Sequence, residues 1–167
     1  MLNSQFRSQV FKTLLLCSFL ILSAFQNLNS FEAKVIGIKD GDTIEILLGK
    51  QSETLRLEGI DCPEKNQDFG NVAKKFTAQF CYGKTVRIEF KGHKDRYQRK
   101  IAKVYVHNKC LNEELLKAGL AWHFKKYSKD PHLAQLEYSA RIAQKGLWQH
   151  SNPIAPWEWR KHKHPRK

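Results

Sequence analysis

Carboxylate side chains are concentrated between Asp40 and Glu64, in the stretch DGDTIEILLGKQSETLRLEGIDCPE. Asp42 and Asp61 offer hard oxygen donors, which suit calcium or magnesium better than zinc or copper. Glu64, three residues after Asp61, is placed to activate or orient a water molecule as a general base. A simpler interpretation is also open, because Asp-Gly-Asp alone is typical of a hairpin turn and Asp61 before Pro63 of an Asx turn.

Two arginines favour the chemical interpretation of these acids. Arg56 lies within the same stretch, and Arg99 lies at the end of the charged segment KGHKDRYQR. Guanidinium groups bind phosphate oxygens through paired N–H bonds, and they stay protonated at any relevant pH. Because a phosphodiester gains negative charge in its transition state, these acids and arginines together indicate phosphodiester hydrolysis. Taken alone, either arginine is more typical of a solvated surface or a surface ion pair.

Two predicted strands, joined by one turn, position these residues. Apolar side chains alternate with other residues from Ile44 to Leu48 and again from Leu55 to Glu58, which is the period of strands with one buried face. Gly49 and Lys50 predict a turn that folds the second of these strands back antiparallel to the first. We therefore expect Asp42 and Asp61 to meet at one edge of the sheet.

The remaining elements follow from the same signals. Asp40-Gly41 predicts a hairpin turn after the first strand, and Asn112 is predicted to cap a short helix that ends at Gly119. Another helix is predicted from Asp130-Pro131 to Gly146. Further strands are expected at 31–39, 85–90 and 100–107, and a further helix at 71–81. Five short strands with a helix after the third predict an α+β fold, a five-stranded OB-type β-barrel with about three packed helices.

Composition and the N-terminal sequence indicate the class of partner and the location of the protein. The 167 residues carry a formal charge of +13, so one domain with a polyanionic partner is expected. Basic residues and then the uncharged run from Thr13 to Phe25 predict an export signal in residues 1–30, although a core helix or an uncleaved anchor shows the same pattern.

We expect a barrel domain at 31–150 and a basic tail with two tryptophans at 151–167, its final eight residues disordered. Export predicts a secreted or periplasmic protein, in which two of Cys62, Cys81 and Cys110 could pair.

Four motifs, IKDGDTIEI, LRLEGIDCPE, DRYQRKIAKVYV and LNEELLKAGLAW, closely resemble the staphylococcal nuclease-like (thermonuclease) family in order and separation. The resemblance covers roughly 31–148 and implies an OB barrel with calcium-dependent endonuclease action on DNA and RNA. It implies that Asp42 and Asp61 bind calcium with the backbone carbonyl of Cys62. It also implies roles for six other side chains, with Glu64 as the general base, Arg56 and Arg99 as the phosphate-binding arginines, Asp40 as the supporting acid of the turn, and Tyr97 and Tyr127 as substrate contacts.

Two residues depart from the family pattern. Cys62 stands where the best-known member has a threonine, and Gln98 replaces a glycine usual before the second arginine. If only the carbonyl of Cys62 is used, its side chain changes little, but a disulfide there would restrain the loop. A side chain at position 98 would alter how Arg99 enters the site.

The sequence therefore predicts an exported, monomeric, calcium-dependent endonuclease that acts on DNA and RNA with little sequence preference. Single-stranded substrate is expected to be preferred, and no stable membrane association is expected after signal cleavage. The first alternative is a non-catalytic OB-type oligonucleotide-binding module, which predicts gaps among the acids and arginines. A polyanion-binding envelope protein is a further alternative that the basic tail allows but that the acids do not explain.

Overall fold

The computed structural model describes residues 30–163. Its strands are β1 (Ser30–Asp40), β2 (Thr43–Leu48), β3 (Gln51–Leu57), β4 (Ile60–Asp61), β5 (Thr85–Lys94), β6 (Lys100–Val106), β7 (Lys109–Cys110) and β8 (Trp122–His123). Its helices are α1 (Gly70–Cys81), α2 (Leu111–Lys117), α3 (Pro131–Ile142) and α4 (Pro156–Lys163), with a 3-10 helix at Gly146–Gln149. None of the helices within this range is long and apolar enough to cross a membrane. Residues 1–29, which carry most of the predicted export signal, lie outside it, so export stays a prediction.

Five strands form a closed barrel. The sheet runs in the order β3-β2-β1-β5-β6, and β6 also pairs in parallel with β3, which closes the sheet on itself. Strand β7 extends β6, while β4 and β8 form a separate antiparallel pair. The predicted α+β fold with a five-stranded OB-type barrel is confirmed. Three of the helices, α1 to α3, correspond to the predicted ones, and α4 is additional.

The alternation of β2 and β3 decides which way their side chains face. Ile44, Ile46, Leu55 and Leu57 lie in the core and are at most 1% exposed. Burying each such side chain contributes about 1.5 to 3 kcal/mol to folding. Since neighbouring residues of a strand face opposite sides, burial of both leucines places Arg56 on the outer face of β3. The hydrophobic pattern of β3 therefore positions a charged residue outside the core.

Two-residue turns join the first three strands as predicted. Asp40 pairs with Thr43 across the first turn, and Leu48 pairs with Gln51 across the second. Gly49 in the second turn has a φ of 62°, which glycine adopts without a steric cost. The antiparallel return of β3 brings the start of β2 beside the end of β3.

Helix α1 packs directly on the turn between β1 and β2. Thr77 donates a hydrogen bond from Oγ1 to the carbonyl of Gly41 at 2.6 Å. A Cβ atom on Gly41 would lie 2.7 Å from Cβ of Ala73 and 2.8 Å from Cβ of Cys62, which leaves room for glycine alone. This close packing holds the backbone that leads into Asp42.

The predicted cap of helix α2 is wrong. The helix starts at Leu111 with Cys110 at the N-cap, and Asn112 is fully buried in the first turn. Oδ1 of Asn112 accepts from the N–H of Val104 at 3.2 Å, and its Nδ2 donates to the carbonyl of Glu58 at 2.9 Å. The amide side chain thus satisfies backbone groups of the barrel instead of capping its own helix.

Helix α3 starts as predicted but ends early. Asp130 accepts a hydrogen bond from the N–H of His132 at 2.9 Å, with Pro131 in the first turn. The helix ends at Ile142, before the predicted stop at Gly146, because Gln144 turns into the left-handed region with a φ of 49°.

The prediction of a disordered C-terminal octapeptide is wrong for its first half, because α4 extends through Lys163. This short, charged helix is held by tertiary packing. The ring of Trp157 stacks on that of Phe124 with centroids 5.2 Å apart, and it meets the edge of Trp122 at 5.6 Å. Packing of an apolar side stabilises a helix that would be marginal in isolation.

The three cysteines of the described range, Cys62, Cys81 and Cys110, are buried free thiols. The sequence left open whether two of them pair, and none of the three does so. Burial raises the pKa of Cys81 to about 12, although the charge of Lys84 lowers it. These residues therefore act as small apolar side chains of the core.

Replacement of Asn112 by alanine should lower the free energy of unfolding by about 2 to 3 kcal/mol, because barrel backbone groups lose buried partners. Urea unfolding followed by tryptophan fluorescence measures the change. Asn71→Ala, at an exposed position in α1, is the control and should change stability by less than about 0.5 kcal/mol. Equal unfolding midpoints for the two variants would show that the Asn112 hydrogen bonds contribute nothing.

Candidate active site

Arg56 lies between two buried carboxylates. Its Nη1 contacts Oδ1 of Asp42, and its Nη2 contacts Oδ1 of Asp61 at 2.6 Å. Asp42 is 2% exposed and Asp61 is 1% exposed. A buried carboxylate is costly unless it is paired and hydrogen-bonded, so one guanidinium compensates both acids. The structure thus brings together three of the residues that the sequence singled out.

Backbone hydrogen bonds fix the position of Asp42. Its carbonyl accepts from the N–H of Leu57 at 2.8 Å, and its Oδ2 accepts from the N–H of Cys62 at 2.6 Å. Oδ1 of Asp40 accepts from the N–H of Asp42 at 3.1 Å, and the supporting role of Asp40 in hydrolysis stays a prediction. The ends of β1, β3 and β4 therefore meet at this single residue.

Glu64 lies in a loop that closes on itself before α1. Its N–H donates to Oε1 of Gln67 at 3.1 Å, and its carbonyl accepts from the N–H of Gln67 at 2.9 Å. A Cβ atom on Gly70 would lie 1.9 Å from the carbonyl oxygen of Glu64, so this approach requires glycine. The loop places the Glu64 carboxylate beside Asp61, and the two carboxylates contact the same arginine.

That partner is Arg160 of α4, which the sequence analysis missed. Its Nη2 contacts Oδ2 of Asp61 at 2.7 Å, and its Nη1 contacts Oε1 of Glu64 at 2.6 Å. Burial lowers the pKa of Arg160, but hydrogen bonds and charges of Asp61 and Glu64 outweigh it and raise the pKa above its ordinary value. The segment PWEWR, with aromatic residues beside an arginine, is the sequence signal that could have indicated a docked helix.

Arg99 lies outside the acid cluster but lines a neighbouring cavity of about 520 Å³. Its Nε and Nη2 both contact Oδ2 of Asp95 at 2.6 Å. Asp40 and Thr43, which flank Asp42 in the chain, line the same cavity. Arg99 thus shares a cavity with the residues that flank Asp42, and its part in binding phosphate stays a prediction.

Gln98 adopts a φ of 62°, in the left-handed region that favours glycine. The turn around it is held by Asp95, whose Oδ1 accepts from the N–H groups of Tyr97 at 2.9 Å and Arg99 at 3.0 Å. Burial raises the pKa of Asp95, but these bonds and the Arg99 charge lower it below its ordinary value. The replacement of glycine by Gln98 therefore leaves the left-handed turn intact.

The two tyrosines lie in separate places. Tyr97 lines the cavity, is 63% exposed, and has the guanidinium carbon of Arg99 5.2 Å from its ring centroid. Tyr127 is 73% exposed and meets Phe124 edge to face at 4.8 Å. Exposed rings of this kind are able to stack on nucleobases. Substrate contact by either tyrosine stays a prediction.

The side chain of Cys62 faces the packed turn. A Cβ atom on Gly41 would lie 3.0 Å from Sγ of Cys62, which places the sulfur against that glycine. Burial raises the pKa of the Cys62 thiol well above its ordinary value, although the charge of Arg56 lowers it. The thiol is therefore neutral and structural, and Cys62 contacts the acids through its N–H, which donates to Oδ2 of Asp42.

The donors around Arg56 fit a hard divalent cation. In both Asp42 and Asp61 the Oδ2 oxygen has a single hydrogen-bond partner and could accept a second, and Arg56 joins the two carboxylates through Oδ1. Residues 30–163 contain no group of three or more His, Cys, Asp or Glu side chains that could hold a metal ion. A cation here would therefore take its remaining ligands from backbone carbonyls, water or substrate, and such open coordination suits hydrolysis.

Comparison with known proteins identifies the family of the chain. Residues 54–150, more than half of the chain, match the family described as Staphylococcal nuclease homologue. A Haemophilus influenzae protein named "Uncharacterized endonuclease" is 42% identical over 154 residues, which are 92% of this chain and 85% of that protein. An Escherichia coli O157:H7 protein of the same name is 37% identical over 131 residues, 78% of this chain and 85% of its own length.

A plant relative is longer than this chain. The Arabidopsis thaliana protein named "Staphylococcal-like nuclease CAN1" is 41% identical over 109 residues, which are 65% of this chain but only 33% of that protein. The similarity therefore lies in one part of the plant protein and in nearly the whole of the bacterial ones. On the family match and these identities, the chain belongs to the staphylococcal nuclease-like family.

Proposed function

We propose that the protein is a calcium-dependent endonuclease that hydrolyses phosphodiester bonds of DNA and RNA with little sequence preference. The observation that carries the proposal is the buried pair of carboxylates, Asp42 and Asp61, joined by Arg56. Glu64 is linked to Asp61 through Arg160, and Arg99 lines the neighbouring cavity. A barrel that only bound oligonucleotides would have no need to bury two acids at this edge.

Charge supports a nucleic acid substrate. The chain carries 29 lysines and arginines against 16 acidic residues, so its net positive charge attracts a polyanion. The names of the bacterial relatives, which include the word endonuclease, support the same class of reaction. Exposed Tyr97 and Tyr127 would favour single strands, whose bases are free to stack. We expect the protein to act as a monomer.

Each side chain has a distinct part in the hydrolysis. Glu64 takes a proton from the attacking water, which is typically worth a hundredfold to ten-thousandfold in rate. Arg56 and Arg99 bind non-bridging phosphate oxygens, whose negative charge increases in the transition state. Asp42, Asp61 and the carbonyl of Cys62 would hold the calcium ion. When bound, that ion supplies Lewis-acid chemistry that neutralises charge on the phosphate.

We also propose that the protein is exported, to the periplasm or the medium, and that residues 1–30 are removed. The support is the basic residues Arg7 and Lys12, which precede an uncharged run rich in leucine and phenylalanine. A nuclease of low specificity is compatible with such a location, because it would be separated from the chromosome of its own cell. After cleavage, no stable membrane association is expected.

Single-stranded DNA should be cut in the presence of millimolar calcium and left intact in the presence of a chelator. The reason is that carboxylates are the donors that a hard cation requires, and removal of the cation by the chelator leaves the phosphate charge unbalanced. Gel electrophoresis of a labelled oligonucleotide measures the cleavage, and RNA is tested in parallel. Binding of the oligonucleotide without cleavage under any calcium concentration would favour the non-catalytic oligonucleotide-binding alternative.

Glu64→Gln should lower the rate constant of cleavage by about a hundredfold to ten-thousandfold while binding of DNA is retained, because the amide cannot accept the proton. Single-turnover kinetics measures the rate, and fluorescence anisotropy measures binding in calcium. Glu32→Gln is the control, since it makes the same change at an exposed position of β1. Cleavage by Glu64→Gln at the rate of the control would contradict the assigned role.

Expression of the full chain in a Gram-negative host should give periplasmic protein that lacks its N-terminal residues. Amino-terminal sequencing is expected to begin between residues 25 and 31, after the uncharged run. Arg7→Glu combined with Lys12→Glu should keep the protein in the cytoplasm, because the basic residues orient the signal. Recovery of the uncleaved wild-type chain from the cytoplasm would contradict export.

A further inference from the structure

A second guanidinium joins the acid cluster from the C-terminal helix. Arg160 bridges two carboxylates that belong to different elements, with Nη2 2.7 Å from Asp61 Oδ2 and Nη1 2.6 Å from Glu64 Oε1. A weaker contact of 3.4 Å joins Nη1 to the other oxygen of Asp61. The planar guanidinium thus sets the distance between a proposed metal ligand and the proposed general base.

Contacts of α4 and of the segment before it determine where Arg160 lies. Trp157 of the same helix stacks on Phe124, with the two ring planes 1° apart. Ahead of the helix, the carbonyl of Ile154 accepts a hydrogen bond from Nε2 of Gln67 at 2.5 Å. Gln67 also binds the backbone of Glu64 through Oε1, so one side chain ties the helix to the loop of the general base. The helix is therefore attached to the loop as well as to the barrel.

Glu64 depends on this contact for its orientation. Within the part of the chain that the structure describes, Arg160 is the one side chain that hydrogen-bonds the carboxylate of Glu64. The Glu64 side chain is 39% exposed, so packing alone does not restrict its rotamers. Asp61, in contrast, is buried and also has Arg56 as a partner. Loss of Arg160 would leave Asp61 in place and release Glu64.

We propose that Arg160 is a positioning residue of the hydrolytic site, which holds the Glu64 carboxylate beside Asp61 in the orientation that accepts the proton of the attacking water. The proposal rests on the proposed nuclease function. It makes α4 part of the active domain, although its sequence lies in the segment expected to be a basic tail. Two other roles are distinguishable by experiment, namely a contact to the substrate phosphate and a cation that competes with the metal ion.

The matched control is the next residue of the helix. Lys161 is 70% exposed and pairs with Glu158 of the same helix at 2.9 Å, away from the acid cluster. Arg160→Gln and Lys161→Gln each remove one positive charge from α4. Any effect of charge on attraction of nucleic acid is therefore the same in both variants.

The test measures kcat and KM on a single-stranded oligonucleotide in saturating calcium. Arg160→Gln should lower kcat by about tenfold to a hundredfold, as is typical for partners that orient a functional group, and change KM by less than about threefold. Arg160→Lys should restore part of kcat, because an ammonium binds one of the two carboxylates at a time. Guanidinium ion at low millimolar concentration should restore part of kcat in Arg160→Ala and have no such effect on Lys161→Gln.

Three results would overturn the proposal. Equal kcat for Arg160→Gln and Lys161→Gln would make the contact a surface ion pair, and a large rise in KM with unchanged kcat would make Arg160 a phosphate ligand. A rise in kcat together with tighter calcium binding by calorimetry would make it a competitor of the metal ion. Urea unfolding of each variant separates loss of folding from loss of kcat, and chemical rescue by guanidinium requires a folded site. Absence of cleavage by the wild type would instead refute the proposed function.

Discussion

Compensation of buried charge at Arg56 is the constraint on which the rest of the site depends. Two carboxylates, of Asp42 and Asp61, are removed from water, and an uncompensated buried charge typically costs about 3 to 5 kcal/mol. Arg56 meets both because burial of Leu55 and Leu57 turns it outward at the end of β3. The same strand closes the barrel, since Leu55 pairs with Lys100, next to Arg99. The register of β3 therefore determines the packing of the core, the closure of the barrel and the position of the charge cluster.

Local signals were sufficient for most of this arrangement. Alternation with a period of two predicted the strands, and the two turns predicted that Asp42 and Asp61 would share an edge, because both signals depend on neighbours in sequence. The cap assigned to Asn112 failed because a buried amide had better partners in the barrel backbone. Arg160 could not be predicted from spacing, since it lies 99 residues from Asp61 and its helix depends on tertiary contacts.

In the turn that contains Gln98, local hydrogen bonds offset a backbone cost. A left-handed φ in a non-glycine residue costs roughly 1 to 2 kcal/mol, and Gln98 bears this cost at 62°. The carboxylate of Asp95 offsets it by accepting the N–H of Tyr97, the N–H of Arg99 and the Arg99 guanidinium. As a result the backbone before Arg99 has few alternatives, and the arginine enters the cavity from a rigid turn. The departure from glycine is accommodated without loss of the turn.

The two guanidinium contacts of Asp61 differ in how early they can form when the chain folds. The contact to Arg56 spans 5 residues, and closure of the barrel by β6 needs only residues up to 106. The contact to Arg160 spans 99 residues and requires α4 to dock. Because contacts of short sequence separation form at a smaller entropic cost, a barrel with a paired Asp42 and Asp61 can precede the finished site. Glu64 can then receive its partner only once α4 has been made and has docked.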